Sequence, residues 1–81
     1  MQKKIKLIWD FRGAESFPIA EHHRIHLDEF IQKEKLDLQE TGIHKISDMY
    51  SIAYMMVSEA QMLLVRDALK PHRGELITLE E

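Results

Sequence analysis

One strictly alternating segment near the start of the chain constrains its fold more than any other feature. Over residues 5–12 one side carries apolar residues and the other is mainly charged: Ile5, Leu7, Trp9 and Phe11 against Lys6, Ile8, Asp10 and Arg12. Alternation with period two is typical of a β-strand with one buried face, because successive side chains of a strand point to opposite sides of the sheet. Gly13 ends the pattern. The fold must therefore contain a sheet.

Two later segments carry the signals of helices. The first begins near Ser16, a residue that can cap a helix N-terminus, and His23 falls inside its apolar stripe. The second follows Ser58-Glu59-Ala60-Gln61, which matches a capping box. It should end at Lys70, because Pro71 disfavours helical geometry in the residue before it. The sequence thus predicts two helices, one on each side of the middle of the chain.

Three further strands complete the expected secondary structure. Residues 36–46 alternate weakly, with Gly42 predicting a bend or bulge, and residues 75–79 form the last apolar segment. Residues 49–57 are almost wholly apolar, as in a central strand buried on both sides. The β-α-β-β-α-β order is the split βαβ arrangement of ferredoxin-like folds, an α+β class with a four-stranded antiparallel sheet and two helices on one face. An all-helical alternative conflicts with the period-two alternation of residues 5–12.

Composition limits the classes of function. The 81 residues suffice for a single domain spanning residues 1–81. A net charge of −3 gives no reason to expect nucleic acid, and no apolar run approaches the roughly 20 residues that span a bilayer. Without cysteine there is no disulfide and no thiolate metal site, and no cofactor is indicated. The apolar run near the start is broken by Asp10 and Arg12, which argues against export, so we expect a cytoplasmic protein.

The predicted topology brings chemically active residues to one edge of the sheet. That edge collects the end of the first strand, the start of the first helix, the middle hairpin and the end of the second helix. It should carry Asp10, Arg12, His22, His23, His26, His44 or Asp48, Lys70, His72 and Arg73. Such a cluster of histidines and arginines predicts a site for a small anionic or polar ligand. The candidate catalytic residues are His26 and Asp10, and the candidate ligand-binding residues are Arg12, His22, His72 and Arg73.

Three interpretations of that edge stay open. In the first, His22 and His26 lie one helical turn apart and share a metal ion, but two imidazoles are too few for a closed site, so no metal is assigned. In the second, His26 is a general acid or base near Asp10, while Arg12 and Arg73 hold an anionic substrate. In the third, the histidines are core or exposed residues, and Asp10 and Arg12 form a weak surface pair.

The second face of the sheet predicts a partner. Two helices cover only one face, and the central strand is apolar on both sides, so Ile52, Tyr54 and Met56, or their alternates, should meet something else. An uncovered apolar patch marks an interface, and a second copy of the chain is the simplest occupant. We therefore expect a homodimer. One alternative function is a structural or interaction module that acts only through this face. The other interpretation is that the face has no partner and is exposed to solvent, with charged residues among its apolar ones.

Several segments in the middle of the chain show a common resemblance. They are His26-Leu27-Asp28-Glu29-Phe30-Ile31, then Glu34-Lys35-Leu36-Asp37-Leu38 with Gly42, and residues 49–57 leading into Ser58-Glu59-Ala60. Together they resemble the YCII-related family of the dimeric α/β-barrel class. The resemblance implies a ferredoxin-like dimer in which His26 and an aspartate near the second helix serve catalysis. Asp67 lies roughly at that aspartate, without the proline and aromatic residue that follow it in the family, and His22 replaces the family's arginine.

Overall fold

The structure, a computed structural model, describes residues 2–35 and 40–79. Its elements are β1 (Gln2–Arg12), α1 (Ser16–Glu34), β2 (Glu40–Ser47), β3 (Tyr50–Ser58), α2 (Glu59–Leu69) and β4 (Arg73–Leu79). The four strands form one antiparallel sheet in the order β2-β3-β1-β4. The predicted ferredoxin-like order is confirmed, and the all-helical alternative is wrong. Residues 36–39, the predicted start of the second strand, lie outside the described residues.

The starts of the two helices differ from expectation. Ser16 is already helical, Glu15 holds the N-cap position, and the Ser16 hydroxyl lies 3.2 Å from the hydroxyl of Ser51 in the buried core. Ser58 does hold the N-cap position of α2, but its side chain makes no capping hydrogen bond. The predicted end of α2 before Pro71 is confirmed. Neither helix, over the residues that the structure describes, is long and apolar enough to cross a membrane.

The core lies between the two helices and one face of the sheet. In this layer β1 and β3 contribute the apolar side chains of every second residue. Each helix contributes the apolar side chains that lie along the side facing the sheet. The indole N–H of Trp9 donates a hydrogen bond of 3.0 Å to the carbonyl of Leu69, which ties β1 to the last turn of α2. The fully buried members of this core are Leu7, Trp9, Ala20, Leu27, Ala53, Met55, Val57 and Val65.

The helices do not cover the sheet evenly. Within the described chain α1 packs against β1, β2 and β3, whereas α2 packs against β1 and β3 and leaves the edge strand β4 uncovered. Among the described side chains, Leu76 of β4 is consequently the most exposed large apolar one, at 61%. The other edge strand, β2, changes register between Lys45 and Ser47, so the predicted irregularity lies there and not at Gly42.

The face of the sheet that no helix covers, called the open face below, is nevertheless closed to water at its centre. Strand register places Ile8 and Ile52 on this face, and they are only 1% and 5% exposed. The ring of Tyr54 lies across Gly42, and Lys6 Nζ lies 4.7 Å from the centre of that ring. Long polar and aromatic side chains of the same chain therefore cover the isoleucines. The centre of the open face is therefore covered within one chain, whereas Tyr54 and Met56 stay partly exposed on it.

Candidate functional site

A hydrogen-bonded group of side chains lies on the open face, where β1 ends and β4 begins. Arg73 donates to both carboxylate oxygens of Asp10, from Nε at 3.2 Å and from Nη2 at 3.3 Å. The Tyr50 hydroxyl donates to the same carboxylate and accepts from Arg73 Nη2 at 3.3 Å. We call Asp10, Tyr50 and Arg73 the Asp10 cluster. Tyr50 belongs to it by strand register, although the sequence predicted only a core strand there.

The Asp10 cluster is electrostatically paired. The hydrogen bond from Arg73 holds the pKa of the Asp10 carboxyl below its ordinary value, although partial burial opposes this effect. The same hydrogen bond raises the pKa of the Arg73 guanidinium. A carboxylate held in this way is a weak base. The geometry therefore makes Asp10 a residue that positions Arg73.

His72 joins the Asp10 cluster through the backbone. The backbone N–H of Asp10 donates a hydrogen bond of 2.7 Å to His72 Nδ1. Because Nδ1 accepts, the neutral ring carries its proton on Nε2, and this second nitrogen is a donor. The ring also makes an edge contact with Phe11, with 6.5 Å between centroids. The predicted proximity of Asp10, His72 and Arg73 is thus present in the structure.

Arg12 lies beside the Asp10 cluster without an acidic partner. Its guanidinium carbon stacks over the ring of Tyr50, 4.2 Å from the ring centre. None of the ion pairs among the described residues includes Arg12, whereas Arg73 is bound to Asp10 and contacts Glu75 at 3.4 Å. Among the residues that the structure describes, the contact that holds the Arg12 guanidinium is the one with the Tyr50 ring.

The histidines of α1 form a separate group. His22 Nε2 lies 3.0 Å from His26 Nε2, and His26 Nδ1 lies 3.2 Å from Glu29 Oε1. Over the described parts of the chain, no contact joins this pair to the Asp10 cluster. The reason is the alternation of β1, which sends Asp10 and Arg12 to the open face while α1 lies on the other. The predicted single edge is thus divided into two groups.

His23 lies between the two groups, on the helix side of the sheet. Its ring packs against Trp9 and Phe11, with centroid separations of 5.0 and 5.4 Å. Its Nε2 is buried and has no hydrogen-bond partner among the described residues. Burial, with a smaller contribution from the neighbouring histidines, lowers the pKa of His23 and favours the neutral ring.

The remaining predicted residues lie outside the Asp10 cluster and the histidine group of α1. His44 is exposed on β2 opposite Ile52, and Asp48 pairs with Lys45 at 3.6 Å. Lys70 is the left-handed C-cap residue of α2. Asp67, which the family resemblance associates with catalysis, is exposed and contacts its neighbour Arg66 at 3.4 Å. None of these four contacts the Asp10 cluster among the described residues.

A groove of about 470 Å³ lies between α2 and β4 and is called the β4 groove below. Its apolar lining comes from Ile5, Leu7, Met62, Pro71 and Leu76. Its polar lining comes from Arg66, His72, Arg73 and Glu75, and the Glu75 carboxylate lies 3.4 Å from the Arg73 guanidinium. Two predicted ligand-binding residues therefore line it, while Arg12 and His22 do not. Met62 and Arg66 could not be predicted as lining residues, because local periodicity does not say how far α2 lies from the edge strand.

Two further findings concern possible metal ligands and similarity to known proteins. Over the part of the chain that the structure describes, no group of three or more histidine, aspartate or glutamate residues is arranged to hold a metal ion. No protein-family model, curated protein or solved structure matches this chain at a significant level. Membership of the YCII-related family, with its catalytic role for His26, stays a prediction.

Proposed function

We propose that this protein binds a small amphipathic anion in the β4 groove, with an apolar body attached to one carboxylate or phosphate group. The observation that carries the proposal is the pairing of an apolar floor with donors at the rim. Ligand sites are typically concave, mostly apolar and supplied with a few polar groups that orient the ligand. The volume of about 470 Å³ lies within the usual range for such sites.

The floor of the groove supports an apolar body. Leu76 is exposed because α2 does not reach β4, so its side chain loses contact with water only when another group covers it. Gly74 keeps the floor low, since a Cβ at this position would lie 3.4 Å from Leu7 Cδ2 and would project from the strand beside Leu76. A ligand of a few carbon atoms would cover Leu76 and contact Met62 across the groove.

The rim supports an anionic head. His72 presents an Nε2–H donor, because its Nδ1 is occupied by the backbone of Asp10. Among the described residues, the Arg66 guanidinium makes long contacts of 3.4 Å with the exposed carboxylate of Asp67, which leaves most of its donors available to a ligand. Arg73 lies at the same rim, but Asp10 and Glu75 balance its charge, so His72 and Arg66 are the donors on which the anionic head depends.

The first test uses octanoate as the probe, with octanol and acetate as controls that lack the charge or the apolar body. Amide shifts of Gly74 and Leu76 on titration should move and saturate with octanoate, and move less with either control at equal concentration. Octanol binding as tightly as octanoate would contradict an anionic head. Octanoate leaving these amides unchanged would contradict the proposal as a whole.

Two pairs of matched variants locate the site. Leu76→Glu puts a carboxylate in the groove and should abolish octanoate binding, whereas Leu63→Glu, on an equally exposed leucine outside the groove lining, should not. Arg66→Gln should weaken binding on the order of tenfold, the effect of losing one charge-assisted contact. Arg24→Gln removes the same group from another exposed helical arginine beside an aspartate and should leave affinity unchanged. Equal losses within either pair would place the ligand elsewhere.

The other expectations from the sequence stay predictions beside this proposal. A cytoplasmic location is one of them. A homodimer is another, and it no longer rests on a bare apolar face, because Ile8 and Ile52 are covered within one chain. Turnover by His26 is the third. His26 contacts His22 and Glu29, neither of which lines the β4 groove.

A further inference from the structure

We infer that His22 and His26 form an open two-histidine site for a divalent transition-metal ion, with Cu²⁺ bound most tightly. The site is independent of the β4 groove and of any ligand there. It consists of two imidazoles one turn apart on α1, with a carboxylate behind one of them. Both rings are exposed, so water or a small ligand can complete the coordination sphere.

The separation of the two nitrogens carries this inference. Nε2 of His22 and Nε2 of His26 are 3.0 Å apart. Two ligands at about 2.05 Å from a metal and at right angles to each other are about 2.9 Å apart, whereas a tetrahedral angle requires about 3.3 Å. The pair therefore matches adjacent positions of a square-planar or octahedral ion. That geometry is typical of Cu²⁺ and Ni²⁺ with nitrogen ligands, and Cu²⁺ binds more tightly in the general order of stabilities.

Glu29 prepares His26 for coordination. Its carboxylate lies 3.2 Å from His26 Nδ1, and it accepts a hydrogen bond when that nitrogen carries the proton. The lone pair of the neutral ring is then on Nε2, directed at His22. A carboxylate in this place fixes the tautomer and the orientation of a ligating histidine in many metal sites. In the metal-free protein the Nε2–H of His22 donates to this lone pair; on binding, His22 takes the tautomer protonated on Nδ1, so that both Nε2 lone pairs are available to the ion.

The coordination is open because the protein supplies only these two nitrogens. Among residues 2–35 and 40–79 no third histidine, aspartate or glutamate completes a metal-binding group. An ion held in this way exchanges readily and keeps positions for solvent or for an added ligand. We therefore expect moderate affinity with a strong preference for Cu²⁺ and Ni²⁺ over Mg²⁺ and Ca²⁺, which prefer oxygen ligands.

The experiment titrates the whole chain, purified without a polyhistidine tag, with Cu²⁺, Ni²⁺ and Mg²⁺ by calorimetry. One equivalent of Cu²⁺ should bind, and electron paramagnetic resonance should show two imidazole nitrogens in the equatorial plane. His22→Ala and His26→Ala should each weaken Cu²⁺ binding at least tenfold. Glu29→Gln should weaken it by about tenfold, as expected for loss of a carboxylate behind a ligand. All three positions are exposed on α1, so the variants should keep the helical circular dichroism of the parent.

His44 provides the matched control, because it is also exposed but lies on β2. His44→Ala should leave the Cu²⁺ affinity unchanged. The inference is overturned if the double variant His22→Ala, His26→Ala binds Cu²⁺ as tightly as the parent chain, which would mean adventitious binding elsewhere. It is also overturned if the resonance spectrum of the parent shows fewer than two coordinated imidazoles.

Discussion

The two faces of the sheet exclude water by different means. On the helix side, α1 and α2 cover Leu7, Trp9 and Met55 with apolar side chains at the density of a packed core. On the open face Ile8 and Ile52 reach nearly the same low exposure with no helix above them. Their cover consists of tyrosine rings with cationic side chains stacked on them. Equal burial thus comes from packing on one side and from long side chains on the other.

Burial alone therefore does not measure how firmly a layer of the protein is held. A helix is fixed by its backbone, so its apolar residues cannot move independently to fill a void. Tyrosine, lysine and arginine side chains on a sheet surface can turn at little cost. We therefore expect the open face to adapt to substitutions that the core does not tolerate. Three predictions address this contrast in order of decreasing effect.

The largest expected effect compares two buried aliphatic residues of equal size. Leu27→Ala in α1 should lower the free energy of unfolding by about 4 kcal/mol, near the upper end for such truncations, because both helix and sheet resist collapse into the cavity. Ile8→Ala on the open face should lower it by only about 2 kcal/mol, since surface side chains can fill the space. Urea unfolding measures both values. Equal losses would show that the open face is as rigid as the core.

The second prediction tests the cover directly at Gly42. A Cβ there would lie 2.8 Å from Cε2 of Tyr54, so Gly42→Ala should displace the ring and lower stability by about 1 kcal/mol. In a Tyr54→Ala background the same change should be neutral or slightly stabilising, because alanine loses less backbone entropy than glycine in a strand. A double-mutant cycle measures the coupling. Additive effects would mean that the ring does not constrain this position.

The third prediction, with the smallest expected effect, uses pH to distinguish the helix side of the sheet from the open face. The pKa of His23 is lowered by burial, so the unfolded chain takes up a proton first and stability is lost as pH falls below about 6.5. His23→Leu should remove this loss and raise stability by up to about 1 kcal/mol, a modest value because the ring is only half-buried. The pKa of Asp10 is lowered by its hydrogen bond from Arg73, so its contribution is lost only below pH 3.8.

Denaturation curves from pH 8 to pH 3 measure these two ranges. Asp10→Asn should remove the loss of stability below pH 3.8 and keep the loss below pH 6.5. His23→Leu should have the opposite effect on the two losses. A parent chain whose stability does not change between pH 7 and pH 5 would contradict a lowered pKa for His23, whose Nε2 is buried and has no hydrogen-bond partner among the described residues.

The order of secondary-structure elements could be predicted because its signals are local and agree with one another. Alternation marks β1, and Pro71 marks the end of α2. The capping signals were less informative. The Ser16 hydroxyl is within hydrogen-bonding distance of the Ser51 hydroxyl in the core, and a local sequence pattern does not reveal a partner so far away in the chain. The irregularity in β2 likewise depends on pairing with β3 and not on Gly42 alone.

The candidate site could be predicted only in part. The proximity of Asp10, His72 and Arg73 followed from topology, since strand ends and helix ends meet at one edge. Its separation from His26 could also have been predicted, because Asp10 alternates with the core residue Trp9 and must face away from the helices. The β4 groove could not be predicted from the sequence, because it depends on the lateral position of α2 over the sheet.

The hydrogen bond from Trp9 to Leu69 makes the chain its own optical reporter. Trp9 is the single tryptophan of the sequence, 3% exposed, and its indole N–H satisfies one of the carbonyls left unpaired at the C-terminus of α2. Its emission therefore depends on whether the last turn of α2 is docked on β1. Movement of that turn, which leads directly into Pro71 and the rim of the β4 groove, would be visible as a change in intrinsic fluorescence without any label.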